Sequence, residues 1–256
     1  MKTRLKEAAN LLRRARHAIA LTGAGISVPS GIPDFRSPGS GLWEQYDPFE
    51  VASIEAFRAH PERFYDWIRP LLAGFATARP NPAHLALSRL QQLGFLREVI
   101  TQNIDGLHEK AGTREVLAVH GQADTVSCIV CGHRVSGADT RHAIESGAVP
   151  ACALCHGVYK PDVVLFGEPL PPETTERAWR AAEMADVIVV AGSSLEVFPV
   201  NELPALVLQN QGSLVLINQG PTPFDRLASV RISGDVVEVL PAIADLLGTV
   251  PEGLSD

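Results

Sequence analysis

The sequence predicts an α/β fold: a parallel β-sheet covered by helices on both faces, with a smaller second domain beside it. Three observations carry this. Short runs that are apolar throughout recur along the chain, as expected of strands buried on both faces. Helical stretches fall between most of them, at 83–93, 173–184, 200–209 and 236–247, which is the alternation of an α/β protein. Each run ends in glycines or hydrogen-bonding side chains, and in open sheets of this kind ligands bind outside the carboxyl ends of the strands.

The N-terminal stretch is basic (Lys2, Arg4, Lys6, Arg13, Arg14, Arg16), and Leu5, Ala8, Ala9, Leu12 and Ala15 place an apolar stripe along it. A surface helix accounts for this better than a transit peptide. The strand-like runs follow. "AIAL" ends in Thr22-Gly23, and "EVIT" in Gln102-Asn103-Ile104-Asp105. "VLAV" ends in His120-Gly121, "DVVLF" in Gly167-Glu168, and "DVIVVA" in Gly192-Ser193-Ser194. "LVLI" ends in Asn218-Gln219-Gly220 and "SVRIS" in Gly234-Asp235. So many dressed strand ends imply one large cleft.

Two segments interrupt the alternation. Residues 42–79 hold Trp43, Tyr46, Phe49, Phe57, Phe64, Tyr65, Trp67 and Phe75 and read as a helical insert, its aromatics mostly core. Residues 123–159 hold the four cysteines and little apolar mass. The expected division is a large sheet domain of residues 1–41, 80–122 and 160–256, and a small domain built from 42–79 and 123–159. Cys128, Cys131, Cys152 and Cys155 form C-x2-C, twenty intervening residues, then C-x2-C. In an intracellular chain that spacing is a tetrahedral zinc site, one structural ion per chain. Two disulfides are the alternative, disfavoured by the compartment. His133 and His156 are bystanders, because four thiolates fill the shell. A metal also compensates for the missing core.

The chain has 256 residues, 46% apolar and 20% charged, which fits one large domain or a domain with an insert. A net charge of −7 argues against a nucleic-acid-binding surface but leaves room for basic peptides. No apolar run approaches the roughly 20 residues of a membrane span. No signal-peptide pattern is present, and the expected address is cytoplasmic.

The loop "LTGAGISVPSGIPDFRS" at 21–37 is the most distinctive stretch. Gly23-x-Gly25 after a strand is part of a dinucleotide fingerprint, yet Val28 stands where its third glycine belongs. No acidic residue closes a second strand about twenty positions on.

Together with "TQNIDGLHEKAG" at 101–112, "HG" at 120–121, the cysteines, "KPDVVLFGE" at 160–168, "GSSLEVFP" at 192–199 and "LIN" at 216–218, this loop resembles the sirtuins, NAD-dependent protein deacylases. The resemblance covers nearly the whole chain and implies a Rossmann-like large domain with a zinc-bearing small one. It implies that Gly23, Ala24 and Gly25 bring backbone N–H groups to the pyrophosphate. Phe35 and Arg36 match the loop over the nicotinamide ribose. Gln102, Asn103, Ile104 and Asp105 match the nicotinamide pocket and its ribose contacts. Gly192, Ser193, Ser194 and Asn218 match adenosine-side positions, with Asp235 and Val236 near the adenine. Val164, Phe166, Gly167 and Glu168 would pair with an extended peptide, with Val197 opposite.

The implied reaction breaks the bond from nicotinamide to ribose. The acetyl oxygen of a modified lysine displaces nicotinamide, and His120 then acts as general base on the ribose hydroxyls, with Asn103 beside it. An imidazole titrating near pH 6.5 suits that role. Partners are acetyl-lysine proteins or peptides, with neither nucleic acid nor membrane.

Plainer roles compete for some of these residues. Asn103 and Asp105 could cap a helix starting near Gly106, and Ser193 and Ser194 the next one. Glu196 reads as a solvated charge. Val28 replaces a small polar residue often found there in the family, at the cost of one phosphate hydrogen bond. Family members that prefer succinyl or malonyl groups carry a Tyr-x-x-Arg pair. Here Tyr65 is followed by Ile68, with Arg69 about 100° around a helix, so the pocket should favour neutral acyl groups. Competing functions are an NAD glycohydrolase or ADP-ribosyltransferase, a non-catalytic NAD-sensing module, and a dehydrogenase, which the incomplete fingerprint disfavours.

Overall fold

The computed structural model describes residues 1–35, 39 and 41–248. In chain order the strands are β1 (Ala18–Thr22), β2 (Val99–Thr101), β3 (Val116–Ala118), β4 (Gly121–Cys128), β5 (Arg134–Ser136), β6 (Tyr159–Val163), β7 (Val187–Ala191), β8 (Ser213–Ile217) and β9 (Val230–Ile232). The helices are α1 (Lys2–Arg14), α2 (Pro48–Val51), α3 (Ile54–Ala59), α4 (Pro61–Thr77), α5 (Pro82–Gln92), α6 (Leu107–Lys110), α7 (Gly137–Glu145), α8 (Pro172–Met184), α9 (Leu203–Gln209) and α10 (Val236–Gly248).

A six-stranded sheet in the order β3-β2-β1-β7-β8-β9 is parallel throughout. Both of its faces are dry, which is why its strands read as unbroken apolar runs. On β1, Ala18 and Ala20 pack with α1, α5 and α10, while Ile19 and Leu21 pack with α8 and α9. The same alternation divides Val187 and Val189 from Ile188 and Val190 on β7. Ala8, Ala9 and Leu12 of α1 are buried against this layer, as the stripe requires.

The run "DVVLF" departs from expectation. It is not a strand of the parallel sheet. β6 runs antiparallel to β4 in a separate three-stranded sheet, β5-β4-β6, and Val164–Phe166 continues beyond it to bridge Ser53. An apolar run reports burial, not strand direction. Val163 and Leu165 are buried against Phe57, Phe64, Tyr65 and Ile68 of α3 and α4 rather than between two helical layers. A domain boundary at residue 160 therefore cuts through β6. The cysteine end has a very small core, Val126, Cys128, Cys152 and Tyr159 with Val135 against them. Among the described residues no helix is long and apolar enough to cross a membrane.

Candidate active site

Strand order reverses between β1 and β7, and a crevice opens at that switch point, as in doubly wound sheets generally. It is a cleft of about 1160 Å³. All the strand-end clusters named above reach it: Gly23–Gly25, Gln102–Ile104, His120, Val164–Glu168, Gly192–Ser194 with Val197, Asn218, and Asp235 with Val236. Phe35 lines it too. Arg36 lies outside the described residues. Asp105 is not among the lining residues. It is buried beneath the floor, where Oδ1 accepts from the Leu107 N–H at 2.8 Å and so caps α6, and Oδ2 accepts from Ser27 Oγ at 2.6 Å.

The glycine loop is built for close approach between two strand ends. A Cβ on Gly23 or Gly25 would stand 2.9 Å from the Gly192 carbonyl oxygen. The Gly25 N–H donates to Gly192 O at 2.9 Å, and the Gly23 N–H to Ala191 O at 3.3 Å. Two of the three N–H groups expected to face a pyrophosphate are thus already engaged within the protein. Among the described residues the Ala24 N–H has no internal acceptor. At the far end, Asp235 Oδ1 accepts from the Val237 N–H at 3.0 Å and caps α10, whose positive end adjoins the cleft.

His120 is half-buried, and its Nδ1 lies 3.0 Å from Gln102 O. A carbonyl only accepts, so Nδ1 carries the proton and Nε2 holds the basic lone pair. Gln102 Nε2 donates to Ser193 Oγ at 3.0 Å, which in turn accepts from the Leu195 N–H at 3.2 Å. Asn103 Nδ2 donates to Gly23 O at 3.1 Å and to Ser27 Oγ at 3.0 Å, tying the β2 loop to the β1 loop.

Beneath these groups lies a buried polar network that the sequence reading missed. His84 Nδ1 accepts from the Asn81 N–H at 3.4 Å, so Nε2 carries the proton and faces Ser27 Oγ at 3.4 Å. Thr22 Oγ1 donates to Thr101 Oγ1 at 2.9 Å. The Thr22 proton is spent, so His108 Nε2 donates to it at 2.9 Å, and His108 Nδ1, buried without a partner, is the bare lone pair. Burial pushes both histidines down, His84 to about 4 against the opposing pull of Asp105, and His108 to about 3 with help from His84. The available signal was His84 on the buried face of α5 beside Ala83, Ala86, Leu87 and Leu90.

On the opposite wall, Trp43 and Trp67 stack at 5.6 Å and both line the cleft, whereas Phe57, Phe64, Tyr65 and Phe75 are core as expected. Ile68 is buried and lines the cleft. The Tyr65 hydroxyl donates to Tyr159 O at 2.6 Å. Arg69 points away, with Nε on Ile144 O at 2.6 Å and Nη2 on Asp66 at 3.0 Å. The lip at Val164–Glu168 is only partly open to a peptide. Phe166 donates its N–H to Ala52 O at 2.9 Å and accepts from the Ile54 N–H at 2.9 Å, so its main chain is already paired.

The four cysteine Sγ atoms lie within 4.8 Å of one another. Cys128 and Cys155 are 3.5 Å apart, and Cys131 and Cys152 3.7 Å. Thiolates about 2.3 Å from a shared tetrahedral centre stand about 3.8 Å apart, whereas a disulfide brings sulfurs to about 2.05 Å. The donor set fits zinc. His133 Nδ1 is 2.8 Å from the Tyr159 hydroxyl and 3.9 Å from Cys152 Sγ, around the cluster rather than in it.

Comparison with known proteins decides the family. The Sir2 family model matches residues 23–199. The chain belongs to the Sir2 family. A relative from Archaeoglobus fulgidus, NAD-dependent protein deacylase 2, is 42% identical over 96% of each chain. One from Thermotoga maritima, NAD-dependent protein deacetylase, is 40% identical over 92% of this chain and 95% of its own. Among solved structures, a Sir2 protein with a p53 peptide and NAD+ superposes with a TM-score of 0.88 at 39% identity, covering 94% of this chain and 98% of the other. In this Sir2 chain the family match takes in the glycine loop, His120, the cysteines and the lip.

Proposed function

We infer that this chain is an NAD-dependent protein-lysine deacetylase. It transfers the acetyl group of acetyl-lysine to ADP-ribose and releases nicotinamide, O-acetyl-ADP-ribose and the free lysine. Membership of the Sir2 family supports this, as do relatives named for that activity. The observation that carries it is the convergence on one cleft of His120, Asn103, the glycine loop and the lip at Val164–Glu168.

The dinucleotide supplies a ribose carbon that gives up nicotinamide and takes the acyl oxygen. Ala24 N–H and the neighbouring Gly192–Ser194 turn hold its phosphate side, and Asn218, Asp235 and Val236 its adenosine side. Gln102, Asn103 and Ile104 form the wall nearest the nicotinamide, with Phe35 over the ribose and Asp105 holding this wall from below. His120 takes a proton from a ribose hydroxyl at Nε2 while its Nδ1–H stays on Gln102 O. Val164 and Gly167 on one side, and Val197 on the other, bracket an extended acyl-peptide. Trp43, Trp67 and Ile68 keep water from the acyl end. Cys128, Cys131, Cys152 and Cys155 hold a structural zinc with no open position. We place the protein in the cytoplasm, in keeping with four thiols suited to a reducing compartment.

Incubation with NAD and an acetyl-lysine peptide should give nicotinamide, deacetylated peptide and O-acetyl-ADP-ribose in equal amounts. Nicotinamide release at the same rate without peptide would indicate a glycohydrolase instead. ADP-ribose attached to protein would indicate a transferase, and binding with no turnover a sensor.

A further inference from the structure

We infer that Lys160 is a positioning residue for the acyl-peptide: paired with Glu168, it folds the 160–168 segment so that a fixed set of main-chain groups is offered to an extended chain. This rests on the deacetylase reading for the identity of the peptide.

Lys160 lies on β6 and does not line the cleft, whereas Glu168 does. Its side chain is 13% exposed. All three ammonium protons have acceptors: Val163 O at 2.8 Å, Glu168 Oε2 at 3.0 Å and Pro161 O at 3.1 Å. The same carboxylate oxygen accepts from the Leu165 N–H at 2.9 Å. The carboxylate of Glu168 thus faces inward, toward its own segment.

Most other main-chain groups of the lip are already paired, which sets what this clamp leaves open. The Val164 N–H goes to His120 O at 2.8 Å, and Leu165 O accepts from the Glu168 N–H at 3.0 Å. Both Phe166 groups pair with the chain around Ser53. Among the described residues, what is left at the lip is the carbonyls of Val164 and Glu168 and both main-chain groups of Gly167, and all three residues line the cleft. Gly167 turns the segment at φ +88, where a side chain is strained.

An ion pair this hidden contributes little net stability, because desolvation offsets the attraction. Its effect is on placement. Without the ammonium, the Pro161 and Val163 carbonyls lose a donor, and the Glu168 carboxylate turns to water and releases Leu165 N–H. An extra donor then competes with Gly167, and the peptide no longer has a single register.

The test is steady-state kinetics on the purified full chain with NAD and an acetyl-lysine peptide. Lys160→Met should raise the peptide KM about tenfold, the loss of roughly one charge-assisted hydrogen bond, with the NAD KM unchanged. Lys160→Arg should recover most of it. Glu168→Gln, isosteric but without the charge that anchors the side chain to Lys160 and to the Leu165 N–H, should raise the peptide KM in the same direction, and it keeps the measurement available if Lys160→Met loses its fold. A series of peptides N-methylated at successive amides around the acetyl-lysine adds a register readout. Wild type should show one or two sharply sensitive positions, and Glu168→Gln or Lys160→Met a flattened profile. An unchanged peptide KM and an unchanged methylation profile in the folded variants would overturn the inference. Equal rises in the peptide and NAD KM would also overturn it, by showing a general loosening. A wild-type protein inactive on acetyl-peptides would instead sink the deacetylase reading itself.

Discussion

The Nδ1 of His120 sits 3.0 Å from the carbonyl oxygen of Gln102, so the end of one strand fixes the tautomer of the residue that follows the next. His120→Ala should therefore remove the base without disturbing the loops. Deacetylation should fall by about 10² to 10⁴, the usual worth of a positioned general base, while NAD binding largely survives. Near-normal turnover in a His120→Ala protein would show the role to be misassigned.

Zinc should co-purify at one ion per chain, because the thiols already stand at distances suited to a shared tetrahedral ion. Cys128→Ser or prolonged chelation should lower the melting temperature, since the Val126–Tyr159 core is too small to hold the three-stranded sheet alone. Elemental analysis of fresh protein with no zinc would rule this out.

The acyl pocket should take acetyl-lysine well ahead of succinyl-lysine. Ile68 faces the cleft, while Tyr65 and Arg69 are both engaged with backbone carbonyls elsewhere. Among the described residues that line the cleft there is no lysine or arginine, so a succinyl carboxylate would lose water there without meeting one, which is costly. Comparable catalytic efficiency on the two forms of one peptide would refute the assignment, and Ile68→Arg should move the ratio towards succinyl.

Stability should fall on mild acidification. In the unfolded chain His84 and His108 take up protons near pH 6.5. In the folded chain burial holds them down to about 4 and about 3. Below about pH 6.5 the unfolded state binds more protons, so stability is lost as pH falls towards those folded values, by at most about 1.4 kcal/mol per pH unit for each group. Urea midpoints measured between pH 7.5 and 5 should decline, and His84→Asn should flatten the slope. An unchanged slope in that variant would remove His84 from the account.

Gly192→Ala should weaken NAD binding and the fold together. Gly192 has φ +62, and a Cβ there would lie 2.7 Å from the Gly25 carbonyl carbon as well as against Ile26 N. The strain is worth roughly 1–3 kcal/mol. A variant with unaltered melting temperature and NAD KM would contradict the geometry.

The strand ends were legible because a dry parallel strand writes an unbroken apolar run and its ligand-facing end writes glycine or polar residues. "AIAL", "EVIT" and "DVIVVA" all follow that rule. "DVVLF" follows it in composition but not in place, since Val163 and Leu165 are buried by helices that come from residues 54–77. The commitment of Gly23 and Gly25 to Ala191 and Gly192 could not be read locally, because the acceptors lie far along the chain. Lys160 and Glu168 stood in the one motif "KPDVVLFGE", but the Pro161 and Val163 carbonyls that share the ammonium leave no trace in side-chain identity. The inward turn of Asp105 was half legible, as a possible helix cap.

The central position of β1 has a consequence for how this chain is made. Ala18 pairs with Val187 on one side, and β1 pairs with β2 on the other. A ribosome adding about 5–20 residues per second leaves the β7 side of β1 without its neighbour for on the order of ten to thirty seconds. Through that interval an apolar edge, Ile19 to Leu21, is exposed to other nascent chains and to chaperones. Truncations before residue 187 should consequently be aggregation-prone rather than merely inactive.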